Sequence, residues 1–205
     1  MQMTGCRWVL GVMAALILSG CGGLDKFHEL DRSGNGYSMN RSGQPKENNV
    51  EEICEVGIKK VFALNGEGRK YAEALKAKCP GAEVVYDIVQ NPDGMVEKEF
   101  LQSFDLQVAE ARAEGKGILF HCSCGCHRTG RLAAYYRMKY QGWSAQAAIE
   151  EMNDIGEDMD THPNLPAQIL GMEDYIHGRT CSQSPEFCYA PSTAVADSKS
   201  PNSKP

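Results

Sequence analysis

Short β-rich runs alternate with helical patterns through the middle of the chain, and this alternation limits the possible folds more than any other feature. Apolar periodicity and turn residues predict three strands and five helices. The strands are expected at residues 58–64, 83–89 and 117–120, and the helices at residues 51–56, 67–79, 96–114, 129–140 and 144–152. Alternation of this kind is typical of α/β folds with largely parallel strands. We therefore predict an α/β domain with a central, mostly parallel sheet flanked by helices, and a functional site at the carboxyl ends of the strands.

The composition fits one globular domain with additional segments at its ends. The chain has 205 residues, of which 42% are hydrophobic, and this is too apolar for a wholly disordered chain. The formal net charge of −6 argues against a nucleic-acid partner, because such proteins need a basic face to neutralise phosphates. Nothing in the sequence decides the oligomeric state.

The N-terminal segment predicts export. Arg7 precedes an apolar stretch at residues 8–18, and the small residues Leu-Ser-Gly lead to Cys21. This order is typical of a signal peptide, which we place at residues 1–20. The four residues ending at Cys21 resemble a bacterial lipobox. The resemblance implies a lipid on the Cys21 thiol and anchoring to a bacterial membrane, with the domain on its periplasmic or cell-surface face. An aspartate after the lipidated cysteine would favour the inner membrane. Gly22 stands there instead and mildly favours the outer membrane.

Composition also sets the expected domain boundaries. Residues 21–39 are polar and rich in glycine, so we predict a flexible tether there. Residues 40–181 have the length and periodicity of one domain. Residues 182–205 are dominated by Ser, Pro, Ala and Asn, and we predict a disordered tail.

The residues that follow the third predicted strand carry the chemistry. Five residues separate Cys122 from Arg128, and the loop joins a strand to a helix. Successive backbone N–H groups in such a loop can bind an anion, and the positive end of the helix adds to their effect. Arg128 can present two donors to phosphate oxygens, and the same field favours a thiolate at Cys122. We predict a Cys-x5-Arg phosphate-binding loop between a strand and a helix, with its backbone donors supplied by Ser123, Cys124, Gly125, Cys126, His127 and Arg128.

This loop resembles the signature of the protein tyrosine phosphatase superfamily, in its small dual-specificity branch. The matching residues are His121, Cys122, Gly125, Arg128, Thr129 and Gly130. Residues 41–45, followed by a helix and residues 57–61, are similar to the opening of bacterial and plant-fungal members of that branch. Residues 135–138, 142–144 and 148–152 are similar to the helices after the signature in bacterial members, and the resemblance covers residues 38–178. It implies a cysteine-dependent phosphatase of the phosphotyrosine or dual-specificity type, which hydrolyses phosphate monoesters through a phosphocysteine intermediate.

The resemblance also implies a role for each residue of the loop. Cys122 would be the nucleophile, and Arg128 would stabilise the phosphoryl group during transfer. His121 and Thr129 would support the thiolate. This mechanism needs no metal and no other cofactor.

The general acid of this family is an aspartate on a loop after the preceding strand. Asp93 fits that description, because it lies in a Pro-Asp-Gly turn between a predicted strand and a predicted helix. Asp87 and Asp105 fit less well, since one lies within the strand and the other within the helix. Asp93 is therefore the predicted acid.

Alternatives remain open for both substrate and class. The expected partner is a phosphorylated protein or a small phosphate monoester. Relatives that favour highly phosphorylated inositols carry Lys or Arg before the signature arginine, and residues 123–127 include neither. That composition argues against an inositol-phosphate substrate but leaves it as an alternative. A catalytically inactive phosphate-binding module, or a redox or metal-binding lipoprotein, is the alternative to an enzyme, because cysteine and histidine are also metal ligands.

The other cysteines have less certain roles. Cys181 and Cys188 flank a six-residue polar segment, and we expect them to form a disulfide in an oxidising compartment. Cys54 and Cys79 could pair or could be buried separately. The thiols at positions 124 and 126 could capture an oxidised nucleophile or could simply fill space beside the loop.

Overall fold

A five-stranded sheet forms the centre of the protein in a computed structural model, which describes residues 23–189. The strands are β1 (His28–Arg32), β2 (Ser38–Ser42), β3 (Ile58–Ala63), β4 (Glu83–Asp87) and β5 (Gly117–His121), in the spatial order β1-β2-β5-β3-β4. Neighbouring strands from β2 to β4 are parallel, and β1 pairs antiparallel with β2 at one edge. The predicted α/β class with a mostly parallel sheet is confirmed.

Helices cover this sheet on both faces. They are α1 (Val50–Glu55), α2 (Arg69–Lys78), α3 (Lys98–Glu114), α4 (His127–Gln141), α5 (Ala145–Ile155) and α6 (Leu165–Ile176). The first five match the predicted helices to within a few residues. Ser144 caps α5, because its hydroxyl accepts a hydrogen bond of 3.3 Å from the backbone N–H of Ala147. The sixth helix has no counterpart among the predictions.

Strand β5 lies at the centre of the sheet, and its side chains pack into two separate apolar clusters. Ile118 and Phe120 belong to the larger cluster, together with residues of α3 to α6. Leu119 belongs to the smaller cluster beside α1 and α2. Burial on both faces is expected for a central strand of a parallel sheet. It holds the carboxyl end of β5 in a fixed position.

The predicted tether at residues 21–39 is wrong from residue 24 onward. Leu24 is buried and donates a backbone hydrogen bond of 2.9 Å to Oε2 of Glu52. The polar, glycine-rich residues after β1 form the turn of a hairpin, in which Ser33 N–H donates to the carbonyl oxygen of Tyr37 at 2.9 Å. Turn residues and linker residues have the same composition, so composition alone did not distinguish them. The domain therefore begins before residue 40.

The predicted disordered tail is wrong for residues 182–189. A disulfide joins Cys181 to Cys188 around a short 3-10 helix, and the Tyr189 hydroxyl donates to the carbonyl oxygen of Val96 at 2.8 Å. The prediction for residues 190–205 lies outside the described residues. A second disulfide, Cys54–Cys79, links α1 to the end of α2.

The predicted signal peptide at residues 1–20 and the predicted lipid site at Cys21 also lie outside the described residues. Between residues 23 and 189, none of the helices has the length and apolar character needed to cross a membrane.

Candidate active site

The predicted phosphate-binding loop lies at the carboxyl edge of the sheet. Strand β5 ends at His121, which is in register with Ser42 at the end of β2 and with Ala63 at the end of β3. The chain then forms the loop of residues 122–126 and enters α4 at His127. The ends of three parallel strands and the N-terminus of a 15-residue helix therefore meet at one point.

Residues at the end of β2 and directly after it hold the loop in shape. Gln44 N–H donates to the carbonyl oxygen of Ser123 at 3.0 Å. Gly125 has a φ of +79°, and a Cβ there would lie 2.7 Å from the backbone nitrogen of Gly43. Only glycine satisfies both constraints. Arg41 adds a hydrogen bond of 2.6 Å from Nη2 to the carbonyl oxygen of Gly125.

Cys122 is buried at the start of the loop, with 1% of its surface exposed. The Cys124 thiol and the hydroxyl and backbone N–H of Thr129 lie close enough to its sulfur to favour the thiolate, and Arg128 contributes its charge. Together these groups hold the pKa of the Cys122 thiol well below its ordinary value, although burial opposes the shift. The Thr129 hydroxyl is buried and bonds to no other group within residues 23–189, so it can act on the sulfur.

Two of the predicted phosphate ligands have partners within the protein. The Nη1 of Arg128 donates to the carbonyl oxygen of Leu64 at 3.4 Å, while its buried Nε bonds to no other described residue. The backbone N–H of Cys126 donates to Sγ of Cys124 at 3.1 Å. Cys124 keeps its proton, because its interaction with the Cys122 sulfur raises the pKa of the Cys124 thiol.

His121 points toward α2 and is neutral near pH 7. Its Nε2 lies 2.6 Å from the hydroxyl of Tyr71, and the two rings pack edge to face. Burial lowers the pKa of His121 to about 4. A neutral ring brings no positive charge to Cys122, so any support from His121 is positional.

Asp93 lies in the turn between β4 and α3, and about half of its side-chain surface is exposed. Its Oδ1 is 2.7 Å from Nδ1 of His162. The His162 ring packs against His127 of the loop, with ring centroids 4.5 Å apart. The structure therefore connects Asp93 to the loop through one intervening side chain.

The two aspartates that fit the position of the acid less well have different surroundings. Asp87 accepts the backbone N–H of Gly68, ahead of α2, at 2.7 Å. Asp105 accepts hydrogen bonds from Tyr135 and Tyr140 of α4. Both carboxylates stabilise contacts between helices and their neighbours, and within residues 23–189 no hydrogen bond or ion pair joins either of them to the loop.

Buried side chains anchor the turn that carries Asp93. The Nη1 of Arg131 donates to the carbonyl oxygens of Gly94 at 2.6 Å and of Asn91 at 3.1 Å. The Nε2 of Gln168 donates to the carbonyl oxygen of Pro92 at 2.9 Å. These contacts fix the backbone on both sides of Asp93.

Several residues around the site carried no role that the sequence predicted. The unassigned residues are Arg41, Arg131, His162 and Gln168. Arg41 lies in a segment that already resembled the family, and that resemblance could have indicated a role for it. Gln168 lies in the unpredicted α6, and His162 is an isolated histidine in a polar connection with no local pattern. Among residues 23–189, no three His, Cys, Asp or Glu side chains are grouped to hold a metal ion.

Sequence comparisons identify relatives of this domain. A family model for the dual specificity phosphatase catalytic domain matches residues 44–175, which is more than half of the chain. The dual specificity protein phosphatase TpbA of Pseudomonas aeruginosa strain PAO1 is 43% identical over 68 residues, covering 33% of this chain and 31% of TpbA. The tyrosine-protein phosphatase MSG5 of Saccharomyces cerevisiae is 33% identical over 60 residues, covering 29% of this chain and 12% of MSG5. The aligned segments thus span less than a third of these curated relatives.

Solved structures agree with this assignment. The crystal structure of P. aeruginosa TpbA has a TM-score of 0.51 and 26% identity, covering 70% of this chain and 81% of that one. The crystal structure of PTPMT1 has a TM-score of 0.58 and 17% identity, covering 74% of this chain and 96% of that one, and it supports the fold alone. Since the family model covers the phosphate-binding loop, the Asp93 turn and most of the sheet, this chain belongs to the dual specificity phosphatase family.

Proposed function

We propose that this protein hydrolyses phosphate monoesters by covalent catalysis at Cys122. The observation that carries the proposal is the environment of that sulfur. Cys122 is buried where β5 meets α4, and the hydrogen bonds and charge around it favour the thiolate. A thiolate next to an arginine and a row of backbone donors suits attack on a phosphate ester.

In the first step the Cys122 sulfur attacks phosphorus, and the bond from phosphorus to the ester oxygen breaks. Charge accumulates on the three equatorial oxygens, where Arg128 and the loop N–H groups bind. Asp93 gives its proton to the departing oxygen. The product is an alcohol or phenol and a phosphocysteine.

In the second step water attacks the phosphocysteine. The Asp93 carboxylate takes a proton from that water, and inorganic phosphate leaves the sulfur. The Thr129 hydroxyl stabilises the thiolate as it departs. The enzyme returns to its starting state with Asp93 protonated and Cys122 ionised.

We propose a substrate with a single phosphate, on a protein side chain or a small molecule. Residues 123–127 include no lysine or arginine, so the loop adds little charge to that of Arg128. A variant of the neighbour TpbA was crystallised in complex with pTyr, whereas the neighbour PTPMT1 was crystallised in complex with PI(5)P. Phosphotyrosine peptides are therefore the first substrates to test, and inositol phosphates are the alternative.

A substrate panel on the purified protein, with chelator and reductant present, tests this proposal. Cys122→Ser should abolish turnover while an inert oxyanion such as tungstate still binds. Arg128→Lys should lower kcat by about 100- to 1,000-fold, because an ammonium does not reproduce the two-pronged contact. The control is Arg179→Lys, an exposed arginine paired with Glu173 and Asp174. Activity near the wild-type level in Cys122→Ser would refute the proposal.

We also propose that the protein is an exported lipoprotein anchored through Cys21. Support comes from the lipobox-like residues that end at Cys21, and from the disulfides Cys54–Cys79 and Cys181–Cys188, which suit an oxidising compartment. Cys21→Ser should release the protein from the membrane fraction or block its maturation, whereas Cys6→Ser should not. A wild-type protein found wholly in the soluble fraction would contradict the anchor.

A further inference from the structure

Two histidines connect the phosphate-binding loop to the proposed general acid. His127 is the first residue of α4, and its ring packs edge to face against His162 at 4.5 Å between centroids. Nδ1 of His162 lies 2.7 Å from Oδ1 of Asp93. The two histidines are 35 positions apart in the chain, so only the fold brings them together.

His127 is held in place on both edges of its ring. Its Nε2 donates to the carbonyl oxygen of Asp158 at 3.1 Å, which places the proton of the neutral ring on Nε2. Its Nδ1 is then an acceptor, and it lies 3.9 Å from Sγ of Cys124. A ring fixed in this way is a firm surface for His162 to pack against.

The Asp93 side chain is less constrained than its backbone. Arg131 and Gln168 hold the carbonyl oxygens around it, but they do not touch the carboxylate. Among residues 23–189, the Asp93 carboxylate forms its hydrogen bond with His162. Because the side chain is half exposed, without that bond it would sample other rotamers in water.

We propose that His162 is a positioning residue, which holds Oδ1 of Asp93 so that Oδ2 carries the proton transferred during catalysis. The inference rests on the proposed function. Nδ1–H of His162 donates to Oδ1 both when Oδ2 is protonated and when the group is a carboxylate. The proton passes from Oδ2 to the ester oxygen in the first step, and from water to Oδ2 in the second. His162 keeps its own proton throughout.

Leaving groups of different acidity test this role. A phosphate ester of a weakly acidic alcohol needs a positioned acid, whereas an ester of a strongly acidic phenol does not. His162→Ala should lower kcat for the first ester on the order of 10- to 100-fold, and should change kcat for the second by less than about twofold. His162→Asn should restore most of the loss, because the asparagine amide nitrogen occupies the place of Nδ1. The exposed His177 provides the matched control, His177→Ala.

A double-mutant cycle separates positioning from a general structural effect. In an Asp93→Asn background, His162→Ala should have no further effect on the weakly acidic ester. Equal losses with both esters, or His162→Ala behaving as His177→Ala does, would overturn the inference. Neither result affects the proposed function, which fails only if the wild type lacks Cys122-dependent phosphatase activity.

Discussion

Arg41 donates a hydrogen bond of 2.6 Å from Nη2 to the carbonyl oxygen of Gly125. Its side chain is fully buried in β2, and its Nε and Nη1 make no hydrogen bond to the described residues. Burial lowers the pKa of the Arg41 guanidinium, and the charges of Glu151 and Cys122 oppose that shift. A second arginine thus contributes positive charge to the loop from within the fold, in addition to Arg128.

We expect Arg41→Lys to raise the pKa of Cys122, because the ammonium does not reproduce the reach and geometry of the guanidinium. The rate of Cys122 alkylation by iodoacetamide, followed from pH 4 to 9, measures this change. The exposed Arg69 supplies a control, Arg69→Lys. Arg41→Met should also lower the free energy of unfolding by about 1–3 kcal/mol, since it leaves the Gly125 carbonyl unpaired. An unchanged alkylation profile in Arg41→Lys would limit Arg41 to a packing role.

We expect His121 to make the fold sensitive to acid. Its pKa is about 4 in the folded protein, against an ordinary value near 6.5, because burial disfavours the charged ring. Between these values the unfolded chain binds more protons, so the contribution is complete above about pH 6.5 and is lost as pH falls toward 4. The loss is on the order of 3 kcal/mol. Urea unfolding at pH 7 and pH 4.5 should show a smaller pH effect in His121→Gln than in the wild type. Equal pH effects would assign the acid sensitivity to other groups.

We expect reversible oxidation of Cys122 to depend on Cys124. The Cys124 thiol lies close enough to the Cys122 sulfur to lower the pKa of Cys122. Peroxide would convert Cys122 to a sulfenic acid and release water, and attack by the Cys124 thiol would then form a disulfide and release a second water. The thiol of Cys126 instead lies 3.6 Å from the carbonyl oxygen of Cys124.

Recovery of activity by dithiothreitol after peroxide treatment checks that expectation. Cys124→Ser should lose most of the recoverable fraction, while Cys126→Ser should keep it. If both variants recover as the wild type does, neither neighbouring thiol protects Cys122, and the two side chains only fill space beside the loop.

The two disulfides should stabilise the fold unequally. Cys54 and Cys79 are 25 positions apart, whereas Cys181 and Cys188 are 7 apart. Cross-linking the longer loop removes more entropy from the unfolded chain, so replacing the first pair by alanine should cost about 3.5 kcal/mol and the second about 2.5 kcal/mol. Urea unfolding of the oxidised proteins measures both. A larger loss from the shorter loop would point to native contacts around the Cys181–Cys188 bond as the main source of its stabilisation.

The local sequence pattern was sufficient to predict β3, β4, β5 and the first five helices. Apolar periodicity and turn residues act over a few neighbouring positions, so they can be read directly from the sequence. The phosphate-binding loop was equally local, because Cys122, Gly125 and Arg128 occur within seven consecutive residues. The place of Asp93 was also predictable, since its turn follows a strand and precedes a helix; its role as the acid stays a prediction.

Strand β2 could not be predicted, because its residues resemble a loop. Its sequence is Ser-Met-Asn-Arg-Ser, and all five residues are buried. Burial of these polar groups depends on partners elsewhere in the fold. The Nδ2 of Asn40 donates to the carbonyl oxygen of Ile118 at 3.1 Å, and Arg41 bonds to Gly125. Without β5 beside it, this strand has no apolar pattern to indicate burial.

Local sequence was enough to establish the α/β class, the strand–loop–helix place of Cys122 and Arg128, and the turn that carries Asp93. The support of the loop and the partner of the Asp93 side chain depend instead on contacts between distant parts of the chain. Arg41 is 84 positions from Gly125, and His162 is 69 positions from Asp93. Contacts over such separations leave no periodicity in the chain, because they depend on which strand ends and helix ends the fold brings to one edge of the sheet.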